Sequence, residues 1–173
     1  MKQLIAGSLC ALALLAVTAA AYLALGLMEV AADARPAAWE AGLMTSAVHA
    51  SVRRRAAAVR HPLLQADADL VAGGKLYLND CVGCHGAPGK PPSDYGVTFF
   101  PPAPQFPHSA SRYSAAELFW VAKHGIRMSG MYPQAPHYSD ADLWRLAAFI
   151  GRIGNLPPGV AKTIRAPSSP ALH

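Results

Sequence analysis

Five consecutive residues constrain this chain more than any other feature of its sequence: Cys81, Val82, Gly83, Cys84 and His85. Two cysteines three residues apart lie on one side of a helical turn, so each thiol can add to one vinyl group of the same porphyrin. The adjacent His85 can then bind the iron from the proximal side. The motif therefore predicts one covalently attached c-type haem, held by Cys81 and Cys84 and ligated by His85.

Three other uses of a cysteine pair fit this sequence less well. A structural zinc site needs a second pair of ligands at suitable spacing, and no cysteine follows Cys84. A thioredoxin-type pair needs a strand before it, whereas the residues before Cys81 have helical periodicity. A plain disulfide leaves the adjacent His85 unexplained. The haem interpretation accounts for all three side chains.

The N-terminal segment indicates export. No charged residue occurs in Gln3–Met28, and Lys2 precedes the run. As a helix this segment is about 39 Å long, more than the roughly 30 Å hydrocarbon core of a bilayer. Ala19–Ala21 offers a signal-peptidase site, but the apolar run continues to Met28, which favours an uncleaved anchor. We predict a single-pass inner-membrane protein with its haem domain in the periplasm; the alternative is a soluble periplasmic protein after cleavage.

The net charge of +5 does not indicate a nucleic-acid binder. Residues 62–156 contain seven Lys or Arg and seven Asp or Glu, so the whole excess lies in the flanking segments. A nucleic-acid-binding domain needs a basic face on its folded part. We therefore predict no nucleic-acid partner.

Hydrophobic periodicity predicts an all-α protein. Helices are expected over 37–60, 67–81, 114–124 and 139–152, and no segment alternates as a strand does. The first of these helices is amphipathic and ends in arginines. We assign residues 1–30 to a signal-anchor transmembrane helix and 31–65 to an amphipathic stalk or linker; the alternative is that this helix lies on anionic lipid.

With these residues in place, the chain resembles the class I monohaem cytochromes c, in particular the membrane-anchored bacterial type. The resemblance covers about 66–156. Gly73 and Tyr77 match the small and aromatic positions on the first helix of that family, and Leu146 and Phe149 match the pair on its last helix. It implies a small cytochrome c fold wrapped around one haem over 66–156. Residues 157–173 are then expected to be a flexible Pro-rich tail.

The resemblance also bears on the sixth iron ligand. Members of the family usually supply a methionine from a loop before the last helix, which favours Met131. Here Tyr132 separates that methionine from Pro133, a departure from the family's glycine-methionine-proline loop. Met128, a histidine or an open coordination position therefore remain as alternatives.

A metal-bound histidine normally donates its other ring N–H to a carbonyl or carboxylate. The family often uses a carbonyl from a proline-rich region for this purpose. The candidates that the sequence does not separate are Pro91, Pro92, Pro101, Pro102 and Pro104.

The predicted function is single-electron transfer through a haem with His/Met ligation, without catalysis by this chain. The predicted partners are other redox proteins, a dehydrogenase or a terminal oxidase, together with the membrane that holds the anchor. Two alternatives stay open: a haem subunit of a larger dehydrogenase or oxidase complex, and an open-site haem that binds a small ligand or acts as a peroxidase.

Overall fold

The structure, a computed structural model, describes residues 1–60, 62 and 66–164. The helices are α1 (Lys2–Ala24), α2 (Ala38–Ala56), α3 (Asp67–Asp80), α4 (Val82–His85), α5 (Ala115–His124), α6 (Asp140–Arg152) and α7 (Pro158–Thr163). Gly96–Thr98 forms a 3-10 turn, and no strand occurs among the described residues. The chain divides into two units, Met1–Arg35 and the residues from Pro36 onward. The all-α prediction is confirmed.

The first unit contains α1, which has a mean hydropathy of 2.3 and is long and apolar enough to cross a membrane. None of its residues is buried within the protein. A signal sequence near an N-terminus has the same properties.

The crossing of α3 and α6 organises the second unit. A Cβ on Gly73 would lie 2.1 Å from the backbone oxygen of Arg145, so only glycine allows the two helices to come this close. The Tyr77 and Phe149 rings pack with centroids 5.4 Å apart, and Leu146 is buried beside them. The four residues that carry the family resemblance therefore all lie at this crossing.

Capping interactions of two serine side chains set where α5 and α6 begin. The Ser114 hydroxyl accepts a hydrogen bond from the Glu117 N–H, and the Glu117 carboxylate accepts one from the Ser114 N–H. The Ser139 hydroxyl caps α6 by accepting a hydrogen bond from the Asp142 N–H, without the reciprocal backbone bond. The buried Phe119 and Trp144 rings stack with centroids 4.3 Å apart, which joins α5 to α6.

The predicted stalk needs correction for its C-terminal part. Val52 and Ala56 are the buried residues of α2, and they are four residues apart on the same side of the helix. Helix α2 packs against α5. This helix is therefore part of the second unit. It ends at Ala56, whereas helix was predicted to residue 60. Residues 61 and 63–65 lie outside the described residues.

The prediction of a flexible tail from residue 157 is wrong at its start. Pro157 caps and Pro158 opens α7, which is compatible with proline because the first helical N–H needs no partner. Val160 and Ile164 are buried, and α7 packs against α3 where Gly74 leaves room for the Ile164 side chain. Residues 165–173 lie outside the described residues.

Candidate functional site

The cysteine motif forms a helical turn directly after α3. The backbone N–H groups of Cys84 and His85 donate to the Cys81 carbonyl at 3.2 and 2.8 Å, so the two cysteines are one turn apart. Both thiols are free and half-buried. Burial, followed by the nearby Asp80 and Cys84, raises the pKa of the Cys81 thiol to about 12, so this group stays protonated at neutral pH.

A hydrogen bond and a ring stack orient His85. Its Nδ1 lies 2.9 Å from the carbonyl oxygen of Pro104, and its ring stacks on Phe106 with centroids 4.8 Å apart. Burial lowers the pKa of His85, although the contact with Pro104 partly opposes this effect. Imidazole is thus favoured in the neutral form that binds metals, with Nε2 left available for a ligand bond. Of the five proline carbonyls considered from the sequence, the structure places that of Pro104 against His85.

Gln105 binds the loop between α4 and α5 (residues 86–114) to the cysteine motif. Its Nε2 donates to the Cys84 carbonyl at 2.8 Å and to the Ala103 carbonyl at 2.9 Å, while its Oε1 accepts from the Ser93 N–H at 2.7 Å. Gly96 lies so close to the motif that a Cβ there would overlap the Cys84 carbonyl oxygen. The loop therefore holds the backbone of the motif at Cys84.

Gln105 was not predicted from the sequence. One glutamine in a proline-rich loop carries no local signal, because its role depends on which distant backbone the loop reaches. Its position directly after Pro104, within the PPAPQF segment (101–106), is the sole indication that the sequence offers.

Tyr77, on α3, supports the backbone of His85 and of the residue that follows it. Its side chain is wholly buried, and its hydroxyl donates to the Gly86 carbonyl at 2.7 Å and lies 3.1 Å from the His85 carbonyl oxygen. Burial raises the pKa of Tyr77, so the hydroxyl remains a donor at every physiological pH. Helix α3 is thereby bonded to the backbone that presents His85.

The two candidate methionines differ in environment. Met131 is half-buried, whereas Met128 is 97% exposed and has a positive φ of 58°. The Met131 carbonyl accepts a hydrogen bond from the Ile126 N–H at 2.8 Å, and its N–H donates to the Ser129 hydroxyl. Gly125, also at positive φ, makes room for the returning chain, since a Cβ there would lie 2.5 Å from the Met131 oxygen.

These residues fit a covalent haem. Two free thiols one helical turn apart, a histidine with its Nδ1 already bonded and a half-buried methionine are groups that a c-type haem can use. No group of three or more His, Cys, Asp or Glu side chains in the described part of the chain could hold a metal ion by itself.

Comparison with known families agrees with this site. Residues 68–150 match the family model described as "Cytochrome C oxidase, cbb3-type, subunit III". Searches of curated proteins and of solved structures gave no significant match. The matched segment runs from the start of α3 almost to the end of α6 and includes the whole cysteine motif. It is a monohaem class I cytochrome c domain, with covalently bound haem c and a role in electron transfer.

Proposed function

We propose that this class I cytochrome c domain is a membrane-anchored single-electron carrier whose iron is ligated by His85 and Met131. The observation that carries the proposal is the hydrogen bond between His85 and Pro104, because it fixes one ring nitrogen and leaves the other for iron. Haem held in this way supplies a ferrous–ferric couple, and thioether ligation raises its reduction potential. The chain itself then provides orientation and exclusion of water, without catalysis.

The choice of Met131 is supported by burial and by loop geometry. A ligand methionine must turn inward, and Met131 is the methionine of this loop with a partly buried side chain. Its backbone is held on both sides, by Ile126 and by Ser129. Met128 extends into solvent, so it offers a matched control in the same loop.

The optical spectrum of the oxidised holoprotein tests this ligation. Protein made with haem-attachment machinery should carry one covalent haem and show a methionine-to-iron charge-transfer band. We expect Met131→Ala to abolish that band and Met128→Ala to leave it intact. Loss of the band in Met128→Ala alone would overturn the assignment. A wild-type protein without the band would instead indicate another ligand or the open site of a ligand-binding or peroxidase-like haem.

We also propose that α1 is retained as an anchor in the cytoplasmic membrane, with the haem domain in the periplasm. The continuous apolar helix Lys2–Ala24, with a mean hydropathy of 2.3, supports this location. The mass of the chain purified from membranes tests it: an intact N-terminus is expected. A chain that begins after Ala21 and fractionates as a soluble periplasmic protein would contradict the anchor.

A haem subunit of an oxidase complex is the second candidate, favoured by the name of the matching family. The same residues would serve both functions, so the site does not separate them. Purification from detergent-solubilised membranes does: a stoichiometric oxidase or dehydrogenase partner supports the subunit role, whereas a chain that elutes alone with its haem supports the free carrier.

A further inference from the structure

Helix α2 has two opposite faces. Val52 and Ala56 on one face are buried against α5. On the opposite side lies a stripe at helical spacing that we call the outer face: Trp39, Leu43, Ala47, Ala50 and Arg54. Leu43 is about 180° around the helix from Val52, since each residue advances the helix by about 100°. All five residues of the outer face are exposed.

The N-terminal half of the outer face is apolar without being covered. Trp39 is 73% exposed and Leu43 is 56% exposed, and they are four residues apart on the helix. The two alanines that follow are small, so a flat surface can approach the helix closely. Exposed tryptophan next to an aliphatic residue is typical of helices that lie at a membrane–water interface.

The C-terminal half of the same face is cationic. Arg54 lies on the stripe, and Arg55 follows it about 120° around the helix from Leu43, with its Nε donating to the Ser51 hydroxyl at 3.3 Å. Neither arginine forms an ion pair with any residue that the structure describes. Arg53 lies near Glu117 and contributes to lowering the pKa of that carboxyl. Two arginine charges are thus left for an external anion.

The linker between α1 and α2 limits how far the outer face can lie from the membrane that holds α1. Residues 25–37 separate the end of α1 from the start of α2 and extend to about 45 Å at most. With α1 in the bilayer, α2 stays within this distance of the lipid headgroups, so contact with them has a high effective concentration.

We propose that the outer face of α2 lies on the membrane that holds α1, with Trp39 and Leu43 in the headgroup region and Arg54 and Arg55 on anionic lipid phosphates. The combination of apolar and cationic residues on one stripe favours a lipid surface over an acidic protein, which would match only the arginine end. Because Val52 and Ala56 fix α2 to α5, this contact would also set which side of the haem domain faces the membrane. The proposal requires that α1 is retained, but not that Met131 is the ligand.

Hydrogen exchange of the full-length holoprotein in lipid nanodiscs tests the contact. Nanodiscs of phosphatidylcholine are compared with nanodiscs that also contain phosphatidylglycerol, and exchange is followed in peptides from α2 and α6. We expect phosphatidylglycerol to slow exchange in α2 and not in α6. The double variant Arg54→Gln, Arg55→Gln should weaken docking by about 30-fold, the factor for two charges near an anionic surface.

A matched control removes two charges elsewhere. Arg152 and Lys162 are exposed on the second unit, and Arg152→Gln with Lys162→Gln should leave the protection of α2 unchanged. Trp39→Ser should reduce that protection with the charge preserved.

Equal exchange of α2 in both lipids, or equal protection in the Arg54, Arg55 variant and the wild type, would overturn the proposal. The haem spectrum and the chain mass are measured on the same samples. A failure of lipid contact is therefore distinguishable from a failure of haem ligation or of the anchor.

Discussion

At the scale of single residues, the buried hydroxyl of Tyr77 gives a direct test of how α3 supports the haem motif. Tyr77→Phe keeps the ring packed on Phe149 but leaves the buried Gly86 carbonyl without its donor. We expect a loss of about 1–3 kcal/mol in the free energy of unfolding of the holoprotein, the cost of an unpaired buried polar group. Denaturant titration measures it.

Tyr95 is the control for that substitution, because its side chain is 63% exposed. Tyr95→Phe should change the free energy of unfolding by less than about 0.5 kcal/mol. Equal effects of the two substitutions would show that the hydrogen bond to Gly86 does not stabilise the motif.

Site residues could be predicted where a short stretch of consecutive residues identifies them, and were missed where their role depends on contacts with distant residues. Cys81, Cys84 and His85 are recognisable because their chemistry needs only five consecutive residues. The partners Pro104 and Gln105 are some twenty residues away along the chain, and their contacts depend on the path of the whole loop. A list of proline carbonyls was predictable, but the choice among them was not.

At the scale of helices, paired glycine substitutions test the crossing of α3 and α6. Gly73→Ala would place a Cβ 2.1 Å from the Arg145 backbone oxygen, so the helices must separate. We expect a loss of about 3 kcal/mol or more in the free energy of unfolding. Gly151→Ala on α6 meets nothing within 4 Å and should stabilise by up to about 1 kcal/mol, because alanine favours helix. A neutral Gly73→Ala would contradict the close crossing.

The cap of α5 predicts a pH dependence. The Ser114 N–H donates to the Glu117 carboxylate and, with the Ser114 hydroxyl, holds the pKa of Glu117 below its usual value. Since the pKa is lower in the folded protein, this stabilisation is complete above the unfolded pKa of about 4.3 and is lost as pH falls through the folded value. Glu117→Gln should therefore be less stable than wild type at neutral pH, and the difference should vanish in acid.

Denaturant titrations of both proteins across this pH range measure the effect. Ser114→Ala should cost about 1 kcal/mol, whereas Ser46→Ala in the exposed interior of α2 should cost nothing. A Glu117→Gln difference that stays constant with pH would contradict the role of the carboxylate.

Helix positions were predictable where caps are encoded locally. The predicted helices 114–124 and 139–152 begin one residue before α5 and α6 because each prediction included its serine cap. The predicted end of α2 lies four residues beyond the observed one, since Ala57, Ala58 and Arg60 favour helix and residues 57–60 contain no stop residue such as glycine. Tertiary contacts, here those of Val52 and Ala56, determine what remains helical.

At the scale of the whole molecule, α2 and α7 lie in the predicted stalk and tail, yet both contain buried residues. Both segments lie outside residues 66–156, to which the family resemblance is limited, so the sequence predicts that they lie outside the domain. Each is nevertheless held by two side chains, Val52 with Ala56 and Val160 with Ile164. Two buried residues suffice to dock a short helix. The amphipathic pattern over 37–60 is recognisable in the sequence, but it does not show whether the apolar side of the helix meets the domain.

Within the second unit, the segment that carries the cysteine motif and the methionine loop between α5 and α6 is charge-balanced, whereas the excess of basic residues lies on or beside α2 and α7. This distribution leads to a final prediction about encounters with redox partners. Residues 62–156 carry seven basic and seven acidic side chains, and several apolar side chains next to the motif and the methionine loop are exposed, among them Tyr95, Phe100 and Tyr132. Electrostatic steering needs a net field, which salt screens. Stopped-flow electron exchange with a physiological partner should therefore slow by less than about threefold between low and physiological salt. A tenfold or larger decrease would mean that a local charged patch guides docking, and Lys90→Gln or Arg127→Gln would then reduce the rate at low salt.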